Sequence, residues 1–503
     1  MVTVLLLALP MSIYAWEPNA RDRDAAIKSG NLDAYAANLG KWVSRKVPTS
    51  ITKKSIDALL KDPKFMSAVI ERRFITRVWG PPNLGDWAKA DPKNAKFVSW
   101  VMSNPEIMDM ALLTRTPSVG WARVDDSWSI HIAALKTWQE IYYADPASRK
   151  GLYLRLAVAC ALRPPGTGNH GAGQAKEQSS CLDRYMYYHK AHAAKELFPS
   201  FDTLTTWELT HVVSSPASNL DLSWGREALN TWNPGFRRNE NVVAMVSQVW
   251  RRGSQVPYHD FSCVAAGGGK CGPRSSFGVF INQAFGIPSI GVGQPGHAAI
   301  TFRDMNGDWQ MAQGRGFHVS KIHDRNKMSG GEFVAMTKER KTPIFAWTEH
   351  LRWLAGTLEK PDGGYLPPDN RQYANPRATA VYALRNAAPA VYGNIKRPKA
   401  AAAAKSDFKP EPPIKVAPGV IHVEAEDFFT KSNVGVENCY TGGKQVYYPA
   451  LTAHAMCGYK INVLKTGTYG FTARVAVINW GQRLYIRSFG AMYPVKSAKV
   501  SNV

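Results

Sequence analysis

The sequence is short of acidic charge. It carries 39 Asp and Glu against 62 Lys and Arg, a formal net charge of +23. So basic a chain favours anionic partners such as uronic or sulfated glycans, cell-wall polymers or anionic surfaces. No nucleic-acid motif turns that charge toward DNA or RNA, so nucleic acid is not an expected partner. After the first residues no apolar run approaches the roughly 18 residues of a transmembrane helix, so no membrane span is expected. Cysteine is scarce. There are six, at 160, 181, 263, 271, 439 and 457. None forms a Cys-x-x-Cys pair, which argues against a zinc site of the usual spacing. No paired-carboxylate signature marks the chain as a carbohydrate-cleaving enzyme.

What is present has a clear order. The start, VTVLLLALPMSIYA, is a short apolar run ending at Ala15. It lacks a positive beginning, yet reads as a signal peptide over residues 1–15, which predicts a secreted protein. Export makes disulfides permissible. Proximity pairs Cys160 with Cys181 and Cys439 with Cys457. Cys263 and Cys271 then form either a third disulfide or two thiols. The remaining length suits about three domains.

Residues 16–235 read as a helical region. Asp62-Pro63, Asp91-Pro92, Asn104-Pro105 and Asp145-Pro146 each pair an N-cap side chain with a proline. Proline suits the first helical position, where its missing N–H is an orphan anyway. His189 and His192 stand three apart on one helical pattern, and packing or surface roles outweigh a metal pair there.

The richest stretch runs from Gly267 to Gly314. A glycine loop delivers Cys271, and Pro273 follows where a helix can start. Phe277, Phe280, Ile281, Ala284 and Phe285 repeat at helical spacing. Gly286 and Pro288 end that helix. A strand-like run, a Pro-Gly turn and His297 come next. Asn306-Gly307 then divides HAAITFRDM from DWQMAQ as a hairpin signal. A thiol at a helix start, beside Lys270, favours the nucleophilic thiolate. A histidine within reach can carry the proton.

These residues resemble the transglutaminase-like superfamily of cysteine enzymes. That family sets its nucleophile at the start of a helix ending in a GIP-type motif, matched by Cys271 and Gly286-Ile287-Pro288. Its histidine opens a strand in an HA dipeptide, matched by His297-Ala298. Trp309 matches the tryptophan four residues before the third triad member, which is usually Asp. Here it is Gln313. The resemblance implies a papain-like α+β core over residues 236–395, with Cys271, His297 and Gln313 acting on a protein or peptide amide and no catalytic cofactor. A strict two-residue turn at Asn306-Gly307 faces Gln313 away from His297, and one extra turn residue brings it back. Asp308 and Gln310 are the alternatives. Trp250, Gln248 and Gln255 are candidates for a second oxyanion donor. An inactive relative with the same fold is the rival reading.

Residues 396–418 form a linker of Pro, Ala and Lys. Residues 419–503 change to short β runs that suit a sandwich. VEAEDF at 423–428, Gly442-Gly443 and TGTYGFTARVAV resemble a family-6-like carbohydrate-binding module, a β-jelly-roll. The resemblance implies a structural calcium at Glu424 and Glu426 and sugar platforms at Tyr448 and Trp480. The predicted whole is a multidomain α+β protein: a helical region, a transglutaminase-like core and a C-terminal β-sandwich, shorter than such sandwiches usually are.

Overall fold

The computed structural model describes residues 16–115, 130–167, 179–232, 271–312, 314–322, 328–362 and 373–387, together with short strands between 430 and 494. Mixed helix and sheet, with helix dominant, agrees with the α+β expectation. Among the described residues, twelve α-helices come before residue 233: α1 (Ala20–Ser29), α2 (Leu32–Lys46), α3 (Lys53–Lys61), α4 (Pro63–Arg77), α5 (Leu84–Ala90), α6 (Pro92–Met102), α7 (Pro105–Arg115), α8 (Ile132–Ala144), α9 (Gly151–Leu162), α10 (Cys181–Ala193), α11 (Thr206–Val213) and α12 (Asn219–Trp232). Two two-residue strands, β1 (Val78–Trp79) and β2 (Ile130–His131), pair in parallel between them.

The Asp-Pro starts act as caps. The Asp62 carboxylate accepts from the N–H groups of Lys64 and Phe65, and Asp91 accepts from Lys93. Asp145 accepts from Ala147, but the helix it opens, Pro146–Arg149, is a 3₁₀ turn. Its next residue, Lys150, is extended, and α9 begins only after it. The Asn104 amide donates instead to the Trp100 carbonyl in the last turn of α6, the helix before it.

Four described α-helices follow residue 270: α13 (Cys271–Ala284), α14 (Gly330–Arg340), α15 (Pro343–Glu359) and α16 (Pro376–Asn386). Between α13 and α14 lies a four-stranded sheet of β3 (Ser289–Gln294), β4 (His297–Arg303), β5 (Trp309–Ala312) and β6 (Lys321–Ile322). Its order is β5-β4-β3-β6, antiparallel throughout. The sheet is covered on both faces. Ile300 meets Val279 of α13 on one side. Ile290, Val292, Ala299 and Trp309 pack with Phe333 and Met336 of α14 on the other.

One hydrophobic core crosses the expected boundary near residue 235. It runs from Ala26 and Leu39 through Trp138 and Tyr188 to Phe280, Leu354 and Val381. Phe280 stacks on Trp224 of α12 with ring centroids 6.3 Å apart. A buried ion pair, Arg303 Nε to Glu208 Oε1 at 2.6 Å, ties β4 to α11. The other Glu208 oxygen accepts from the Thr205 N–H and closes a capping box, so both ends of this carboxylate are used.

Cys160 and Cys181 are free thiols, so the expected disulfide between them is absent. Cys160 is wholly buried on α9, and Cys181 sits half-buried where α10 begins. Burial pushes the Cys160 thiol well up and the Cys181 thiol up to about 11. The His189–His192 pair separates into two carboxylate contacts. His189 meets Asp145 at 3.0 Å, and His192 meets Asp202 at 2.5 Å. Among the described residues no three His, Cys, Asp or Glu side chains gather as a metal set.

Near the C-terminus, β7 (Thr430–Ser432), β8 (Gly435–Asn438), β9 (Lys444–Tyr447), β10 (Met456–Gly458), β11 (Tyr485–Ser488) and β12 (Ala491–Pro494) form three antiparallel pairs: β7 with β10, β8 with β9 and β11 with β12. Glu424, Glu426, Tyr448 and Trp480 lie outside the described residues. No described helix is long and apolar enough to cross a membrane.

Candidate active site

Cys271 is the first residue of α13, a half-buried free thiol. It is therefore not consumed in a bridge to Cys263. Downstream, α13 turns at Phe285–Pro288 and the chain returns as β3. The return is antiparallel, because two contacts climb together. The Asn282 amide donates to Ser289 Oγ at 3.2 Å, and Val279 meets Ile300, which pairs with Gly291 of β3. From Asn282 to Cys271 the helix rises about 16 Å. From Ser289 to Gln294 the strand advances about 17 Å. Cys271 and the β3–β4 turn thus share one end of the helix-on-sheet layer.

His297 stands at that turn. Pro295-Gly296 is the two-residue connection, and His297 pairs with Gln294. Alternation sets His297 on the Ala299 side of the sheet, and Ala298 on the Ile300 side that faces α13. The imidazole is partly exposed at the strand end, on the sheet face turned away from α13. Gln294 builds the surroundings. Its amide donates to Ser320 Oγ at 2.7 Å and to the Gly316 carbonyl, and its oxygen accepts from the Arg315 N–H at 3.0 Å. One side chain so ties the segment after β5 to the strand end that carries His297.

The β4–β5 turn decides the register. Arg303 faces Trp309 and Phe302 faces Gln310. The Asp304 N–H donates to the Asp308 carbonyl at 2.8 Å, leaving Met305, Asn306 and Gly307 in the loop. Gly307, at φ 82°, takes the left-handed position of a three-residue turn. This loop holds one residue more than a strict Asn-Gly turn, the condition that sequence alone set for Gln313. Gln313 itself lies outside the described residues, as do Trp250, Gln248 and Gln255.

The two substitutes for Gln313 are committed elsewhere. Asp308 pairs with Lys341 at 2.8 Å, and the Gln310 amide donates to Asp304 at 2.9 Å. Gln310 is opposite Phe302, five residues or about 17 Å along β4 from His297. Trp309 is a core residue, edge-on to Phe333 with centroids 4.9 Å apart.

Two neighbours of Cys271 carry chemistry that motif reading passed over. Arg274 is half-buried one turn on, and its charge interacts with the Cys271 thiol. Burial pulls the Arg274 guanidinium down from its ordinary value, and Cys271 opposes that shift. Ser275, one further on, is 5% exposed, and its hydroxyl has no hydrogen-bond partner. The signal was available as the spacing i, i+3, i+4 on one helix. Compared with known proteins, the chain matches no family model, no curated protein and no solved structure.

Proposed function

We propose that the chain is a transglutaminase-like cysteine enzyme that cleaves or transfers amide and peptide acyl groups. Cys271 Sγ attacks the carbonyl carbon. His297 takes the thiol proton and delivers it to the departing amine as the C–N bond breaks. Water or a second amine then resolves the acyl-enzyme, and Gln313 orients the imidazole through its amide oxygen. The protein is secreted, with residues 1–15 as its signal peptide. Residues 419–503 act as a carbohydrate-binding module for an acidic polysaccharide, with Glu424 and Glu426 on a structural calcium and Tyr448 and Trp480 under the sugar.

One observation carries the reading. A free, half-buried thiol opens α13 at the end of the layer where His297 begins β4, and the three-residue β4–β5 loop gives the register that Gln313 requires of it. The test is acylation by an activated ester, followed by mass spectrometry of the Cys271 peptide. Wild type acylates; Cys271→Ala does not; His297→Ala slows by about two to four orders of magnitude, the usual worth of a general base.

The neutral Gln313 favours one rival, an inactive protein of the same fold that only binds glycans. It predicts no acylation by wild type or by Gln313→Asp, with retention on insoluble acidic polysaccharide unchanged by Cys271→Ala.

A further inference from the structure

We propose that Met311 is an oxidation-sensitive latch: a peroxide converts its thioether to the sulfoxide, and the sulfoxide frees residues 314–316 from the end of β3. The inference does not require Cys271 to be a nucleophile.

Two donors are aimed at a sulfur that makes little use of them. The Gln294 amide nitrogen stands 3.3 Å from Met311 Sδ, and Ser320 Oγ stands 3.7 Å from it. A thioether is a weak acceptor. Both donors also serve stronger ones. Gln294 Nε2 donates to Ser320 Oγ at 2.7 Å and to the Gly316 carbonyl at 3.2 Å, and Ser320 Oγ donates to the same carbonyl at 2.7 Å. The Gly316 carbonyl therefore depends on the two groups that flank the sulfur. Backbone crowds the sulfur as well. A Cβ added at Gly314 would stand 2.6 Å from Sδ, so little room is left on that side for a further atom. Gln294 is the residue paired with His297, so the latch closes the strand end that carries the histidine.

The sulfur can be reached from the side of the sheet. Met311 lies on β5, an outer strand of the four-stranded sheet, and is half-buried rather than enclosed. Met328 and Met336, in the same hydrophobic cluster, are only 7% and 4% exposed. A sulfur lone pair attacks one oxygen of hydrogen peroxide and the O–O bond breaks. The second oxygen takes the proton of the first and leaves as water. Sulfur is oxidised by two electrons, and the peroxide is reduced by two. The product is polar and carries a strongly accepting oxygen. Gln294 Nε2 and Ser320 Oγ would turn to it, and the Gly316 carbonyl would lose both donors. The added oxygen would also press on the Gly314 backbone. Both effects have one sign: the segment lifts from β3, while Phe317, stacked on Phe333 with centroids 6.4 Å apart, holds its far end.

Hydrogen exchange at the Arg315 amide reads the latch, because that N–H donates to Gln294 Oε1 at 3.0 Å. The full-length protein is treated with graded hydrogen peroxide, and sulfoxide at each methionine is measured by peptide mass spectrometry. In wild type, Arg315 exchange should quicken about tenfold as Met311 is oxidised, the effect of losing one or two ordinary hydrogen bonds. Met311→Leu nearly conserves volume and cannot form a sulfoxide, so its exchange should start near the wild-type rate and ignore peroxide. Met305→Leu should respond as wild type does, since Met305, 44% exposed, lies in the β4–β5 loop at the opposite end of β4 from His297. A Met311 that stays unoxidised after Met305 is fully converted overturns the proposal. Unchanged Arg315 exchange in protein whose Met311 is the sulfoxide overturns it too. An equal response in Met311→Leu does the same, because another oxidised group would then be the cause.

Discussion

Replacing Gly286 by alanine should cost more stability than the same change at Gly296, and the excess should come from a single ring. Both glycines take left-handed backbone, at φ 76° and 67°. An alanine held there costs about 1–2 kcal/mol through its Cβ and the neighbouring carbonyl. Gly296 adds nothing to that, since a methyl group there would have no heavy atom within 4 Å. At Gly286 a Cβ would stand 2.7 Å from Phe201 Cδ2 and 3.2 Å from Cε2. Ordinary carbon contacts are about 3.5–4 Å. Phe201 is 1% exposed and stacked on Tyr188 with centroids 6.0 Å apart, so it has nowhere to swing. Overpacking of this kind adds about 1–3 kcal/mol, for a total near 2–5 kcal/mol at Gly286. Urea titration followed by tryptophan fluorescence measures both variants. A cycle with Phe201→Leu isolates the ring's share, which should appear as coupling between the two sites. Equal losses at Gly286 and Gly296, or no coupling to Phe201, would refute the packing argument.

Other consequences follow from named contacts. Glu208→Gln should destabilise by about 3–5 kcal/mol in the same titration, because it leaves Arg303 charged and buried. Arg303→Met with Glu208→Gln should lose less than Glu208→Gln alone. Burial raises the Glu71 carboxyl above its ordinary value, against the Tyr35 hydrogen bond at 2.8 Å and Arg23, which lower it. The folded state thus holds the Glu71 proton more tightly than the unfolded chain does. Its contribution is present below the unfolded pKa and declines as pH rises through the folded one. Glu71→Gln should flatten that decline in denaturation series run upward from about pH 4.5. Iodoacetamide at pH 8 should label Cys271 before Cys160 and Cys181, whose thiols burial holds up; early labelling of Cys160 would contradict its place in the core. If Gln313 completes the triad, Gln313→Asp should raise ester acylation and Gln313→Ala should lower it, since a carboxylate stabilises imidazolium better than an amide.

Residue order was sufficient for whatever is settled within a few positions along the chain. Asp62 and Asp91 cap helices because a carboxylate two or three residues away can reach the orphan N–H groups. Gly286 and Pro288 end α13, and Pro295-Gly296 turns β3 into β4, through local backbone preference. That was enough to order a thiol, a helix, a strand and a histidine along the chain. Register was open, because Asn306-Gly307 suits a two-residue loop as well as the three-residue loop that forms. Asp304 settles it by accepting from Asp308 and Gln310, a choice made only once the strands lie side by side. Partners far apart in sequence were equally open. Glu208 and Arg303 meet across 95 residues, and helices on both sides of residue 235 share one core. Spacing along a chain carries no record of such meetings. Cys160 and Cys181 looked paired by proximity alone, yet remain thiols. Whether a buried hydroxyl finds a partner depends on every element packed round it, so Ser275 stands apart from its neighbours only in the folded chain.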